Sequence, residues 1–220
     1  MNYKIVKNEE RKSITAIISP IVIGYTDYLF KKYEGERYFA SGIFKDADYK
    51  NDILPFAKEI VTSLNEISKD IMPEGVVFVG KDVLSLDEDE FRIISKNLNK
   101  DGDWDKQFKI NLSSKSKNGE RRFLFLDLKG ENPIEEKDAW KHIYAVEIEI
   151  SVGYNEDKLE KYLYSVFHRG ISIGTREYRS QKNDDAWEGF DFGPEKQQQS
   201  EPSTKQENKP PKPSEDDLPF

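Results

Sequence analysis

The chain has no cysteine and only two histidines, His142 and His168, among 220 residues. The first absence excludes a disulfide scaffold and every thiolate metal site. The second leaves too few ligands for a histidine-based zinc site. No apolar run approaches the ~20 residues of a membrane span. Residues 1–11 alternate polar and apolar positions without the apolar stretch of a signal peptide. The expectation is a soluble intracellular protein. Positive charge is not in excess either: the net charge is −8. Residues 193–220 hold four Lys and six acidic residues, so residues 1–192 keep −6 of that total. Any site for a polyanion must therefore be a local basic groove on an acidic body. Gly-x-Ser-x-Gly, P-loop and His-Glu-x-x-His signatures are missing, and no carboxylate pair has the apolar setting of a tuned acid and base. No enzymatic activity, cofactor or metal is expected.

What is present is a polar chain, 36% hydrophobic and 35% charged, that still holds runs able to build a core. A polar start leads into Ile14–Ile23, an Ile-rich strand with an edge or bulge expected at Pro20. Tyr25, Tyr28, Phe30 and Tyr33 follow beside Lys31 and Lys32. Glu34-Gly35-Glu36 then turns the chain into a second strand, Arg37–Lys45, in which Gly42 suggests a bulge or a close backbone approach. Residues 52–72 read as the main helix, capped by Asn51 or Asp52 with Pro55 in its first turn. Phe56, Ile60, Leu64, Ile67 and Ile71 form its core-facing stripe, and Pro73 and Gly75 end it. Val76–Val79 reads as a short strand. Residues 81–105, with Asp87-Glu88-Asp89-Glu90 and Asp101-Gly102-Asp103, read as a solvated acidic insertion, since the full calcium-loop pattern is lacking.

Residues 105–130 are the most basic window. Phe108, Ile110 and Leu112 alternate with Lys109 and Asn111, and Lys115, Lys117, Asn118-Gly119 and Arg121-Arg122-Phe123 follow. Asn-Gly between two strand patterns predicts a hairpin. Residues 143–154 alternate cleanly, with Val146, Ile148, Ile150 and Val152 inward and Glu147, Glu149 and Ser151 outward. A turn or short helix at 156–160 leads to closing strands through Gly170 and Gly174. From Gly193 onward there are six of the ten prolines and four glutamines, and no aliphatic residue before Leu218. Such a segment cannot offset the entropy of folding and is expected to be a disordered leash. The expected organisation is therefore one domain over 1–192 and a leash over 193–220. The leash ends in Ser214-Glu215-Asp216-Asp217-Leu218-Pro219-Phe220, three carboxylates beside an apolar hook that another protein can hold in a pocket rimmed by Lys or Arg.

Five or more short strands, one amphipathic helix and Gly-bearing corners suit a mainly β fold, a five-stranded, partly open OB barrel. Single-strand binding needs cations that track phosphates and aromatic faces on which unpaired bases stack. The sequence interleaves the two: Lys31-Lys32-Tyr33, Arg37-Tyr38-Phe39, Phe108-Lys109, Arg121-Arg122-Phe123, His168-Arg169 and Tyr178-Arg179. The candidate phosphate contacts are Lys31, Lys32, Arg37, Lys109, Lys115, Lys117, Arg121, Arg122, Arg169 and Arg179. Tyr33, Tyr38, Phe123, Tyr154 and Tyr178 are the candidate stacking rings, while Phe108, Phe125 and Phe167 are expected in the core.

Three stretches, Glu36–Asp46 leading into the helix, Lys109–Asp127 with Asn132-Pro133-Ile134, and Ile148–Tyr154 with Gly170–Gly174 and Tyr178-Arg179, occur in an order similar to that of the OB-fold single-stranded DNA-binding proteins of bacteriophages. The tip resembles the acidic Pro-Phe terminus of bacterial and phage single-stranded DNA-binding proteins. The 81–105 insertion, the acidic body and Tyr162–Arg169 depart from the pattern. The resemblance implies a protein that coats single strands without sequence preference in the cytoplasm of a bacterium or phage-infected cell. It implies that the tip, Glu215 to Phe220, competes for the DNA groove and is captured by polymerase, helicase-primase, recombinase or nuclease partners in replication, recombination or repair. Oligomeric state is open, a homodimer included. A protein-interaction adaptor, or a metal-dependent nuclease acting through Asp82, Asp87, Asp101 and Asp103, are the alternatives.

Overall fold

The computed structural model describes residues 1–24, 37–87, 92–98, 102–115 and 124–175. The alternation in residues 1–11 is itself a strand, β1 (Asn2–Asn8), paired antiparallel with β2 (Ser13–Gly24) from Asn2↔Ser19 to Asn8↔Ser13. Its half-buried residues Tyr3 and Ile5 pack against the core, so a stretch taken as merely polar closes part of it. In β2, Ile14, Ala16, Ile18, Ile21 and Ile23 are buried, and the register slips between Ile18 and Ile21 around the cis Ser19–Pro20 bond. The proline marks a bulge in a central strand and not an edge.

β3 (Arg37–Phe44) pairs with the second half of β2. Gly42 is there because backbones and side chains meet: an added Cβ would lie 3.0 Å from both Ile110 and Ile21 methyls. A π-helical turn (Tyr49–Ile53) then opens α1 (Leu54–Ser68). The cap is Asp48, whose carboxylate accepts from the Asn51 N–H at 2.8 Å, three residues earlier than expected. Phe56, Ile60, Leu64 and Ile67 are buried as the stripe predicts, whereas Ile71 lies beyond the helix end and is exposed.

Two expectations fail in the next stretch. Val76–Val79 is not a strand. The Asn65 side chain takes both backbone groups of Phe78, donating to its carbonyl at 2.8 Å and accepting from its N–H at 2.7 Å, which leaves nothing for a ladder. Nor is 81–105 simply a solvated insertion. It contains α2 (Gly80–Val83), β4 (Leu84–Ser85) and β5 (Ile94–Leu98), with Val83, Leu84 and Ile94 fully buried. The acidic run conceals short apolar pairs on either side of it.

β6 (Trp104–Lys115) pairs with β5 and β3. The hairpin expected at Asn118-Gly119 lies outside the described residues, and the described part of its second arm does not pair with β6. Instead β7 (Phe125–Leu126) runs parallel to β9 (Glu160–Thr175), and the chain folds back on itself through Asp127 N–H to Asn132 and Ile134 N–H to Phe125. Burial decides this: Phe125 packs its ring 4.9 Å from Tyr144 and 5.3 Å from Phe167. β8 (His142–Asn155) pairs with β2 on one edge and β9 on the other, with the inward and outward residues the alternation predicts. The 156–159 connection is a turn.

The sheet order is β4-β5-β6-β3-β2-β8-β9-β7, with β1 also on β2. Within it, β2, β3 and β6 lie side by side and β8 returns next to β2, a Greek key, to which β9 adds. The two ends of this five-strand path meet where Ser113 Oγ donates to the Ser165 carbonyl at 3.3 Å. The fold is mainly β, a partly open barrel of the OB type. Among the described residues nine strands form the sheet: β2, β3, β6, β8 and β9 are the five-strand path, and β1, β4, β5 and β7 extend it.

Candidate nucleic-acid interface

The ladders decide which sequence-distant segments meet. Gly24 at the end of β2 pairs with Ser41, and Arg37 at the start of β3 pairs with Lys115 at the end of β6. His142 at the start of β8 pairs with Thr175 at the end of β9, and Ile143 lies between Val22 and Gly174. The strand termini that carry residues 25–36, 116–123 and the chain beyond 175 therefore all lie at one end of the barrel, here the loop end. Lys31, Lys32, Tyr33, Lys117, Arg121, Arg122, Phe123, Tyr178 and Arg179 belong to those segments and lie outside the described residues. So do the tip residues Glu215, Asp216, Asp217, Leu218, Pro219 and Phe220, and the expected boundary at 193.

The backbone places Arg37 and Lys115 opposite one another at the root of the two segments. Tyr38 is registered with Ser114, in the row of Ala40 and Leu112, both fully buried, and so one step out of the Arg37 row. Farther along the Arg37 row come Ser41 opposite Asn111, both buried, and Ile43 opposite Lys109. Burial draws the Lys109 ammonium below its usual range, while the charge of Asp105 pulls the other way. Asn111 is nine-tenths buried, and its Nδ2 donates to the Arg92 carbonyl while its Oδ1 has no partner among the described residues. Sequence reasoning did not single out Asn111 or Ser113, because uncharged polar residues in a strand carry no compositional signal.

Arg169 sits next to Gly170, whose N–H donates to the Leu124 carbonyl at 2.8 Å, so it borders the return of the 116–123 segment. It is half-exposed, but its Nε is 2.6 Å from Glu147 Oε2. Its neighbour His168 lies 2.9 Å from Glu149 Oε2. Glu149 is held below the usual carboxylate range, first by the Ser13 hydroxyl and then by His168. The outward glutamates of β8 thus restrain Arg169 and His168 of β9. Tyr154 is not brought to this end: it is half-buried and registered with Lys161 near the β8–β9 turn. Phe108, Phe125 and Phe167 are buried as expected.

The opposite, helix end is different in kind. Lys7 pairs with Glu66, Lys12 with Asp70 at 2.7 Å, and the N-terminal ammonium with Asp52 at 2.9 Å, strapping the β1–β2 hairpin to α1. Lys161 pairs with Asp82, which also accepts from the Val79 N–H at 2.7 Å. That occupies one of the carboxylates considered for a nuclease. Among the described residues no group of His, Asp or Glu is placed to hold a metal, and no helix is long and apolar enough to cross a membrane.

Fold and ladder together define a partly open Greek-key β-barrel with cation-rich and aromatic-rich segments joined at one end. No protein-family model and no curated protein matches the chain. Among solved structures it is similar to the single-stranded DNA-binding protein from bacteriophage Enc34. The C-terminally truncated form of that protein has 16% identity and a TM-score of 0.45, covering 80% of this chain and 98% of the other. The longer form has 16% identity and a TM-score of 0.41, over 83% and 97% of the two chains. Its complex with single-stranded DNA has 15% identity and a TM-score of 0.43, over 80% and 99%.

Proposed function

We propose that this chain is a sequence-independent single-stranded DNA-binding protein of replication, recombination and repair, with no catalytic activity of its own. The observation that carries this reading is the Arg37–Lys115 pairing, which joins the roots of 25–36 and 116–123 although 78 positions separate the two residues. Lys31, Lys32, Lys117, Arg121 and Arg122 then supply phosphate contacts, and Tyr33 and Phe123 supply stacking faces, in one region of an otherwise acidic molecule. Local concentration of cations is what an acidic chain needs to bind a polyanion, because net charge alone would repel it. The strand lies across the β3–β6 wall, where OB barrels hold oligonucleotides.

Residues 193–220 act as the leash, and the tip Glu215 to Phe220 docks on partner proteins by its hook and carboxylates. In the absence of DNA the tip occupies the cationic loop end. Titrating a labelled oligo-dT with the full chain and with a form ending at residue 192 tests both parts. The shorter form binds more tightly, and the difference shrinks as salt rises. Absence of binding by the shorter form at low salt contradicts the reading and favours a protein adaptor.

A further inference from the structure

On β9 the row facing away from the core carries Tyr162 and Tyr164, registered with Gly153 and Ser151 of β8. The ring of Tyr162 lies directly over Gly153: a Cβ added there would stand 2.2 Å from the Tyr162 Cζ. The ring is therefore laid down along the sheet and not stood up from it, and the residue remains 54% exposed. Tyr164 adjoins Ser165, whose carbonyl accepts from Ser113 Oγ, so the row begins at the seam between β6 and β9. Lys161, the nearest cation in the chain, is engaged by Asp82 and the Val77 carbonyl. An exposed, flat-lying ring beside an engaged lysine offers a π face and no phosphate contact. Glu156, Asp157 and Glu160 follow at the turn and repel phosphates beyond it.

We infer that Tyr162 and Tyr164 form a base-stacking extension of the interface, which takes two successive unpaired bases of a strand that crosses the β6–β9 seam from the loop end. The inference rests on the function proposed above and adds to it a second patch and a limit: the strand's path ends at the acidic β8–β9 turn. A structural role competes with it, since an aromatic ring laid over a strand glycine shields backbone from water. Leucine separates the two, because it covers Gly153 without offering a π face.

The test uses the full chain, Tyr162→Leu and Tyr164→Leu, with oligo-dT and the same oligomer carrying single abasic sites at successive positions. The expected result is an unchanged melting midpoint and roughly five- to a hundredfold weaker binding of intact oligo-dT, the loss of one stacked base. At the matching abasic position variant and parent should bind equally. Equal binding of intact oligo-dT by Tyr162→Leu and parent overturns the inference while leaving the proposed function standing; absence of binding by the parent removes both. Should the leucine variants not fold, photocrosslinking of the parent to 5-iodouracil oligomers decides, with the adduct expected on 162–164 and its absence there contradicting the inference.

Discussion

The two ends of this barrel handle charge in opposite ways. At the helix end, cations and carboxylates are already matched. Lys7, Lys12, Lys161 and the N-terminal ammonium each have an acidic partner, and the ion pairs span elements far apart in sequence. At the loop end, the described strands lead to the cation-rich segments, and the outward glutamates of β8 engage Arg169 and His168 of β9. An acidic body is therefore compatible with a DNA site. In the proposed reading the matched end holds the fold together and the other end binds the strand. Net charge, the main objection to nucleic-acid binding, averages over the matched ion pairs of the helix end and the basic segments of the sequence alike.

If that division holds, damage to each end has separate consequences. Phe56 is fully buried in α1, 4.8 Å from the Tyr3 ring and 6.3 Å from that of Phe44. Phe56→Ala should cost about 3–5 kcal/mol of stability, read as a shifted denaturant midpoint, without weakening DNA binding by molecules that remain folded. The converse variant replaces Lys31, Lys32, Arg121 and Arg122 by Ala. It should leave the denaturant midpoint unchanged, weaken oligo-dT binding by about a hundredfold or more, and flatten the slope of log affinity against log salt by about 3. Equal effects of both variants on both readouts would break the comparison.

Smaller changes sharpen it. Glu147→Gln releases Arg169 beside the 116–123 return and should tighten binding up to about fivefold at low salt, in line with an exposed ion pair. Acid should also act unequally. Lys7 holds Glu66, and Lys12 holds Asp70, below their usual values of 4.5 and 3.8, while hydrogen bonds, first from Asn132, bring Asp127 to about 2. A depressed carboxylate stabilises the fold above its unfolded value and loses that contribution as pH falls through its folded value. Amide protection in β1 and α1, taken relative to the intrinsic exchange rate at each pH, should therefore begin to fall as pH drops below about 4.5, while that of the turn at 127–134 holds until nearer pH 2. Asp127→Asn should abolish that last step.

The sequence made the strand alternation and the helix stripe legible, because period-2 and period-3.6 patterns report which face is buried. Val146, Ile148, Ile150 and Val152 in β8, and Phe56 through Ile67 in α1, are where that reading placed them. It missed β1, where the alternation of Tyr3 and Ile5 with polar residues is visible but too short and polar to mark a strand, and β4–β5, where an acidic run separates two short apolar pairs. The Asn118-Gly119 turn lies outside the described residues, but Phe125 in the second arm expected of its hairpin finds its place against Tyr144 and Phe167, and local turn chemistry does not reveal such a distant partner. The candidate site divides in the same way. Which segments are basic and aromatic was visible; that Arg37 meets Lys115, while Tyr154 stays apart, is a property of register.

The division between the ends can be measured in a single footprint. Amide hydrogen exchange of the full chain at low salt, with and without saturating oligo-dT, reports both ends at once. The account predicts protection in 25–43, 109–123, 162–164 and 168–179, and none in α1 or the β1–β2 hairpin. Protection centred on α1, or an unchanged profile together with no binding at low salt, would contradict it.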